Sequence, residues 1–340
     1  VTEHAELDER KASILRAIVE EYVETAQPVG SQTVARSSGL GVSSATIRND
    51  MTVLEREGYI AQPHTSAGRI PTDQGYRYFV DHFTTRGPLP PQQYRAVADF
   101  FASTHRALED LLNETSQLLA RLSRHAAVVM GPQPDQAVVR GLQLVRLNDR
   151  SALLVVVLSN GVVERHILSV AETVDDAQLA AAARVIERQL LGRTWGSVPE
   201  ILATGDAAVD GVVDDVRAAL LALAAPDHRE PLYVGGVSNI AAEQEAFSTA
   251  ETAARLLEML EHQVLVVSVV HELLQAGLTV RIGSENQLEE LRECSIVLAP
   301  YEVEGHPAGV VGVLGPTRMD YRHALSAVSA VSQQLGRHLS

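Results

Sequence analysis

The run from Pro28 to Asp81, PVGSQTVARSSGLGVSSATIRNDMTVLEREGYIAQPHTSAGRIPTDQGYRYFVD, constrains this chain more than any other segment. Two short helical stretches flank a Gly39-Leu40-Gly41-Val42 turn, and two strand-like pieces around a loop follow them. That order predicts a helix-turn-helix with a β-wing, a module that lays one helix in the major groove of double-stranded DNA. A preceding helix is expected over Leu7 to Glu24, with Ile14, Leu15, Ile18, Val19, Tyr22 and Val23 as its apolar stripe. Pro28 closes that helix region, and Ser31 is expected to cap a short helix from Gln32 to Ser38 that offers Val34 and Ala35 to the core. Ser43 is placed to cap a third helix, Ser44 to Glu57, which Gly58 stops.

The third helix divides by face. Ile47, Met51 and Leu54 fall at i, i+4 and i+7 and belong to the core. Ala45, Arg48, Asn49, Thr52 and Arg56 lie opposite, with Ser44 and Thr46 near the leading end. Arginine bonds guanine O6 and N7, asparagine bonds adenine N6 and N7, and serine hydroxyls reach phosphates beside a helix N-terminus. The plainer alternative is a solvated face on a small helical domain. Tyr59-Ile60 begins a strand, and Pro63 to Arg69 turns the chain before Ile70, so Arg69 and His64 are expected to meet phosphate or the minor groove. For Arg69 the alternative is a surface salt bridge. Pro71-Thr72-Asp73 starts another helix, which Tyr76, Phe79 and Val80 pack against the domain, with Tyr78 as a support or interface residue. The candidate DNA-binding residues are therefore Ser43, Ser44, Ala45, Thr46, Arg48, Asn49, Thr52, Arg56, His64 and Arg69.

Charge qualifies this reading. The chain of 340 residues carries a net charge of −15, and residues 1–85 hold 8 basic against 12 acidic side chains. Within 31–80 the balance is 5 against 4, so the expected DNA contact is a small local patch on an acidic molecule. Base contacts and dimerisation are then needed to supplement phosphate attraction. Hydrophobic residues make up 46%, as in a folded protein, and no apolar run reaches the length of a membrane span. With no apolar export segment at its start, the sequence is expected to work in the cytoplasm. The single cysteine, Cys294, excludes an intrachain disulfide and multi-thiolate metal sites, and its apolar neighbours suit a buried inert thiol.

Beyond the module, residues 82–95 read as a linker and Gln92 to about His125 as one long amphipathic helix. Strands are expected at Leu142–Leu147, Leu153–Leu158 and Val162–Leu168, the last two joined by a Ser159-Asn160-Gly161 hairpin loop. Two alanine-rich helices, Ala177–Leu191 and Val209–Ala224, suit helix or subunit packing, and a break follows from Pro226 to Pro231. Strands resume at Leu232–Val237, Leu265–Val270, Leu278–Ile282, Ile296–Tyr301 and Ala308–Leu314, and a helix from about Asp320 to Leu339 closes the chain. Strands on both sides of a helical stretch suggest one α/β domain with an insertion. Enzyme signals are weak. His271-Glu272 lacks the second histidine of a zinc-protease helix, and Gly309 to Gly315 lacks the lysine of a phosphate loop. Arg318 and Asp320 suit an internal salt bridge better than acid–base chemistry, so neither catalysis nor a cofactor is expected.

The motifs together resemble the HrcA family of bacterial heat-inducible transcription repressors. The resemblance rests on Pro28-Val29-Gly30-Ser31, Ser44 to Met51, Gly58-Tyr59-Ile60, and His64 to Thr72, with Gly236-Val237-Ser238-Asn239 and Gly315 to Tyr321 towards the C-terminus. It implies an α+β multidomain protein made of an N-terminal winged helix-turn-helix and a GAF-like α/β domain with an inserted dimerisation domain. The corresponding boundaries are 1–85 for the winged helix, 86–125 for the linker and connecting helix, 126–169 with 231–340 for the GAF-like domain, and 170–230 for the insertion. It also implies a homodimer that binds the inverted-repeat operator CIRCE to repress chaperone operons, under modulation by the GroE chaperonin. Two rival readings keep the winged helix: a C-terminal sensor of a small molecule, and a protein-interaction scaffold.

Overall fold

The computed structural model describes residues 7–64, 67–84, 87–103, 107–132, 137–159, 161–195, 204–223, 232–242, 247, 249–261 and 278–340. The strand expected at Leu265–Val270, the His271-Glu272 pair and the Pro226–Pro231 break lie outside them. At the N-terminal end, α1 (Glu9–Thr25), α2 (Ser31–Ser37) and α3 (Ser44–Arg56) precede a two-stranded antiparallel ribbon of β1 (Ile60–Ala61) and β2 (Ile70–Pro71). Helix α4 (Asp73–Phe83) follows directly. Ile14, Leu15 and Ile18 from α1 meet Val34, Ile47 and Leu54 in a core from which water is excluded. Each such side chain contributes roughly 1.5–3 kcal/mol relative to exposure.

The cap of α2 differs from expectation. Gly30 is the N-cap and makes no side-chain bond, while Ser31 is the first helical residue and is buried. The cause is local. Val29 exchanges backbone hydrogen bonds with Arg69 at 2.8 and 2.9 Å, which holds the chain extended up to Gly30 and starts the helix one residue earlier.

The long helix expected over Gln92–His125 is two helices, α5 (Pro91–Ser103) and α6 (Leu108–Ser123). Ala107 is extended, with ψ 149°, so the helical hydrogen-bond ladder stops before it and restarts after it. Strand β3 (Ala126–Met130) follows. Then come β4 (Val139–Asn148), β5 (Ser151–Leu158) and β6 (Val163–Ser169), with α7 (Asp176–Leu190) and α8 (Ala207–Leu223). The remaining elements are β7 (Leu232–Gly235), α9 (Val237–Ala242), α10 (Ala250–Glu261), β8 (Thr279–Ile282), β9 (Cys294–Val303), β10 (His306–Pro316) and α11 (Tyr321–Leu339).

Five strands form an antiparallel sheet in the order β7-β3-β10-β9-β8. Ala127, Val129, Val311 and Val313 pack with α6 and α11 in one core, and Ala126, Val128 and Val310 pack with α9 and α10 in another. Burial on both faces explains why β3 reads as an unbroken apolar run. The first of these cores also contains the apolar residues of α1 to α4, so the N-terminal module is docked on the sheet's helical layer.

Strands β4, β5 and β6 do not join that sheet. They form a separate antiparallel sheet whose Leu142, Leu154 and Val156 pack with Ile186 of α7 and Val216 of α8. Of the expected 126–169 segment, only β3 shares a sheet with the C-terminal strands, and the chain leaves the main sheet after Met130. The reason is one-sided covering. Along β5, buried and partly exposed positions alternate, as in a sheet packed on one face only. Gly309 to Gly315 lie inside β10, a strand and not a phosphate-binding loop. Cys294 is fully buried, and its burial pushes the thiol pKa up to about 12, consistent with an inert core sulfur.

Candidate nucleic-acid interface

The candidate interface is built around the start of α3. Gly39 and Gly41 both take left-handed backbone conformations, φ +67° and +65°, which turn the chain between α2 and α3 at no Cβ cost. Ser43 then caps α3: its Oγ accepts from Thr46 N at 3.2 Å and lies 3.0 Å from Thr46 Oγ1. A capped N-terminus with its first amide groups pointing outward favours an anion. Ser44 and Thr46 are half-buried there, while Ser43 and Ala45 are exposed.

Along α3 the two faces separate as expected. Ile47, Met51 and Leu54 are buried, and Arg48, Asn49, Thr52 and Arg56 are exposed. The side chains of Arg48, Asn49 and Arg56 form no ion pair or hydrogen bond among the described residues, so their donors face solvent. Thr52 donates to the Arg48 carbonyl at 3.0 Å, which leaves its hydroxyl oxygen as an acceptor. Arg36, in the last turn of α2, is likewise exposed, and it was not among the sequence candidates.

Two acids that weighed against DNA are spent internally. Asp50 is 6% exposed and receives both Nε (2.8 Å) and a terminal nitrogen (3.0 Å) of Arg10, which clamps α1 to α3. Sequence reasoning passed over it. Its position three residues after Ile47 and one before Met51 was the available signal. Glu55 pairs with Arg69, whose Nε and terminal nitrogen lie 3.1 and 2.8 Å from Oε2.

That second pair changes the picture of the wing. The Arg69 side chain is 18% exposed and braces β2 against α3, so the salt-bridge alternative describes its arrangement. Gly68 allows this approach: a Cβ there would stand 2.5 Å from the Val29 backbone. Gln62 Nε2 donates to the Ala67 carbonyl at 3.0 Å and ties the wing loop across its base. His64 is exposed within that loop. Tyr78 supports the module from behind, stacked on His82 at 3.9 Å between ring centroids and edge-on to Tyr59.

Arg318 and Asp320 do not pair as an internal salt bridge. Arg318 donates to the Val23 carbonyl at 3.2 Å, and Asp320 caps α11 by accepting from His323 N at 3.0 Å. Among the described residues there is no group of three or more His, Cys, Asp or Glu side chains placed to hold a metal ion. None of the described helices is long and apolar enough to cross a membrane.

This arrangement has relatives. The profile of the HrcA protein C terminal domain matches residues 109–325. The heat-inducible transcription repressor HrcA of Nocardia farcinica is 40% identical over 338 residues, covering 98% of this chain and 97% of the relative. The chain belongs to the HrcA family. A second HrcA repressor, from a Nocardioides species, is 41% identical over 340 residues and covers 98% of each chain. Membership in the HrcA family makes this a heat-shock transcriptional repressor, not an enzyme. The fold has a solved counterpart in the crystal structure of a hypothetical protein at 2.2 Å resolution, with a TM-score of 0.62, 27% identity, and coverage of 98% and 97% of the two chains.

Proposed function

We propose that this HrcA-family repressor reads an inverted-repeat operator of the CIRCE type as a homodimer, each copy laying α3 in one major groove. The N-terminal unit is read as a winged helix, and the five-stranded sheet with helices on both faces as GAF-like. One observation carries the proposal. Arg48, Asn49, Thr52 and Arg56 line the exposed face of a capped helix, and none of their side chains is committed to an ion pair among the described residues. Arg48 and Asn49 supply base-edge contacts, while Ser43, Ser44, Ala45 and Thr46 form the leading end against phosphate and sugar. His64 extends from the wing. Arg69 joins the interface by exchanging Glu55 for a phosphate, and otherwise acts by holding the wing in place.

Dimerisation has its own support in the three-stranded sheet. Its outer face presents Val145, Leu147, Val157, Val163 and Ile167, of which Ile167 is 64% exposed. Val145, Leu153 and Ile167 stand in register across the three strands as one apolar row, and Val157 with Val163 stand in a second, beyond the row of Gln143, Val155 and Arg165. Such a surface suits contact with another protein. A second copy of this chain is the occupant that an inverted repeat requires, because one module reads one half-site.

The test is an operator titration at fixed salt, for wild type and Arg48→Ala, with and without GroE chaperonin. Arg48→Ala should lose about 1–3 kcal/mol of specific binding with its fold intact. Chaperonin should raise the active fraction of heat-treated wild type. Equal affinity of wild type and variant for operator and scrambled duplex would overturn the DNA-reading proposal.

A further inference from the structure

The helix after the wing is tied to the far end of the chain. Arg77 of α4 donates from Nε to Glu285 Oε1 at 2.6 Å and from a terminal nitrogen to Glu285 Oε2. It also donates to the Val280 carbonyl at 2.7 Å and to Asp81 at 3.2 Å. One turn earlier, Asp73 accepts from Ser284 N at 2.8 Å. Between them Tyr76 packs against Tyr321 of α11, with ring centroids 5.7 Å apart.

A second set of contacts comes from α11. Arg322 donates to the Phe83 carbonyl at 3.2 Å, pairs with Glu20 at 2.9 Å and lies over the Phe79 ring at 5.4 Å. Both α1 and α4 are therefore held from the C-terminal side. The hold reaches α3 through Thr72, whose hydroxyl donates to the Gly58 carbonyl at 2.6 Å just after α3 ends.

Ile14, Ile18, Val34, Ile47 and Leu54 belong to the same apolar core as the sheet's helical layer, so apolar packing already joins the module to the sheet and the polar ties add direction to that contact. Their geometry suggests their use. A guanidinium meeting a carboxylate through two nitrogens accepts one relative orientation, which a point charge does not demand.

We infer that the Arg77–Glu285 pair, with Asp73 on Ser284, is a positioning device for DNA reading: it fixes the angle between α3 and the C-terminal sheet, and so the distance between the two recognition helices of a dimer. The inference rests on the two-module reading above. Arg77 touches no base in this scheme and acts through α4 and α3. B-DNA makes the angle consequential, because each added base pair rotates a half-site by roughly 35° about the helix axis. A rigidly held pair of recognition helices matches one spacer length, and a loosely held pair tolerates several.

The experiment measures full-length protein on a set of inverted repeats whose spacers differ by one and two base pairs, and on a single half-site. Wild type should prefer one spacer by about tenfold or more, within the range of couplings between sites in one protein. Arg77→Ala should flatten that preference to about threefold or less while single half-site affinity changes by no more than about twofold. Arg77→Lys, which keeps the charge and loses the planar fork, should fall between them. Glu285→Gln keeps the side-chain volume and carries the test where Arg77→Ala fails to fold. A wild type that selects one spacer, with variants that select it equally well, overturns the positioning role alone. A wild type that binds every spacer alike overturns the two-module reading, and the positioning role with it.

Discussion

Asn49 and Asp50 are neighbours in sequence, yet one is exposed and the other buried on α3. Asn49 is exposed, whereas Asp50 points inward to a two-nitrogen contact with Arg10. The 100° step of a helix makes the separation, and it assigns the two residues different consequences. Asn49→Ala should weaken operator binding and relax preference at one base pair, with the melting midpoint unchanged. Asp50→Ala should lower the midpoint by roughly 2–4 °C, because it removes the tie between α1 and α3. Thermal melting and an operator-mutant binding panel on both proteins check this; a melting loss for Asn49→Ala with none for Asp50→Ala would reverse the assignment. Arg69 shows the limit of residue type as evidence. Its place at the end of the wing loop suits phosphate, but Glu55 lies one helix face away and takes it up. No local pattern in the sequence announces a partner fourteen residues distant.

Elements were legible where their punctuation is local. The Ser43 cap, the glycines on either side of Leu40, and Gly58 after α3 are each decided by backbone chemistry within a few residues. The ribbon is different, because β1 and β2 are only two residues long and persist through a third strand-like contact at Val29. Gly68 is the residue that lets Val29 come close. Gly68→Ala should cost about 1–3 kcal/mol by forcing the two backbones apart. It should also weaken operator binding by displacing the wing loop; urea unfolding and the same operator titration read the two effects, and unchanged values in both would show that the wing does not depend on that approach. Helices α9 and α10 were missed, although Ala253, Leu256 and Leu260 stand at helical spacing and prove to be buried. The break between α5 and α6 was missed for the opposite reason: the apolar spacing continues through it, while the backbone at Ala107 does not.

At the scale of the whole molecule, the outer face of β4, β5 and β6 leaves Val145, Leu147, Val157, Val163 and Ile167 exposed to water. Ile167→Asp places a charge on the edge strand β6, at the most exposed apolar side chain of that surface. It should convert a dimer to a monomer in light scattering or sedimentation and abolish preference for the inverted repeat, with half-site binding retained. A dimer that survives Ile167→Asp and Val145→Asp together would move the contact elsewhere. The sequence by itself determined the two helices about the Gly39–Gly41 turn, the exposed basic and amide residues of the second, the alternation of the one-sided strands and the closing helix. These rest on periodicity, capping and turn chemistry, all of them short-range in the chain. Tertiary structure alone decided which strands share a sheet, that Asp50 and Glu55 are spent on Arg10 and Arg69, and that α4 is tied to Glu285 across 208 residues. Such choices depend on which surfaces meet once the chain has closed, and a linear pattern records each surface without its partner.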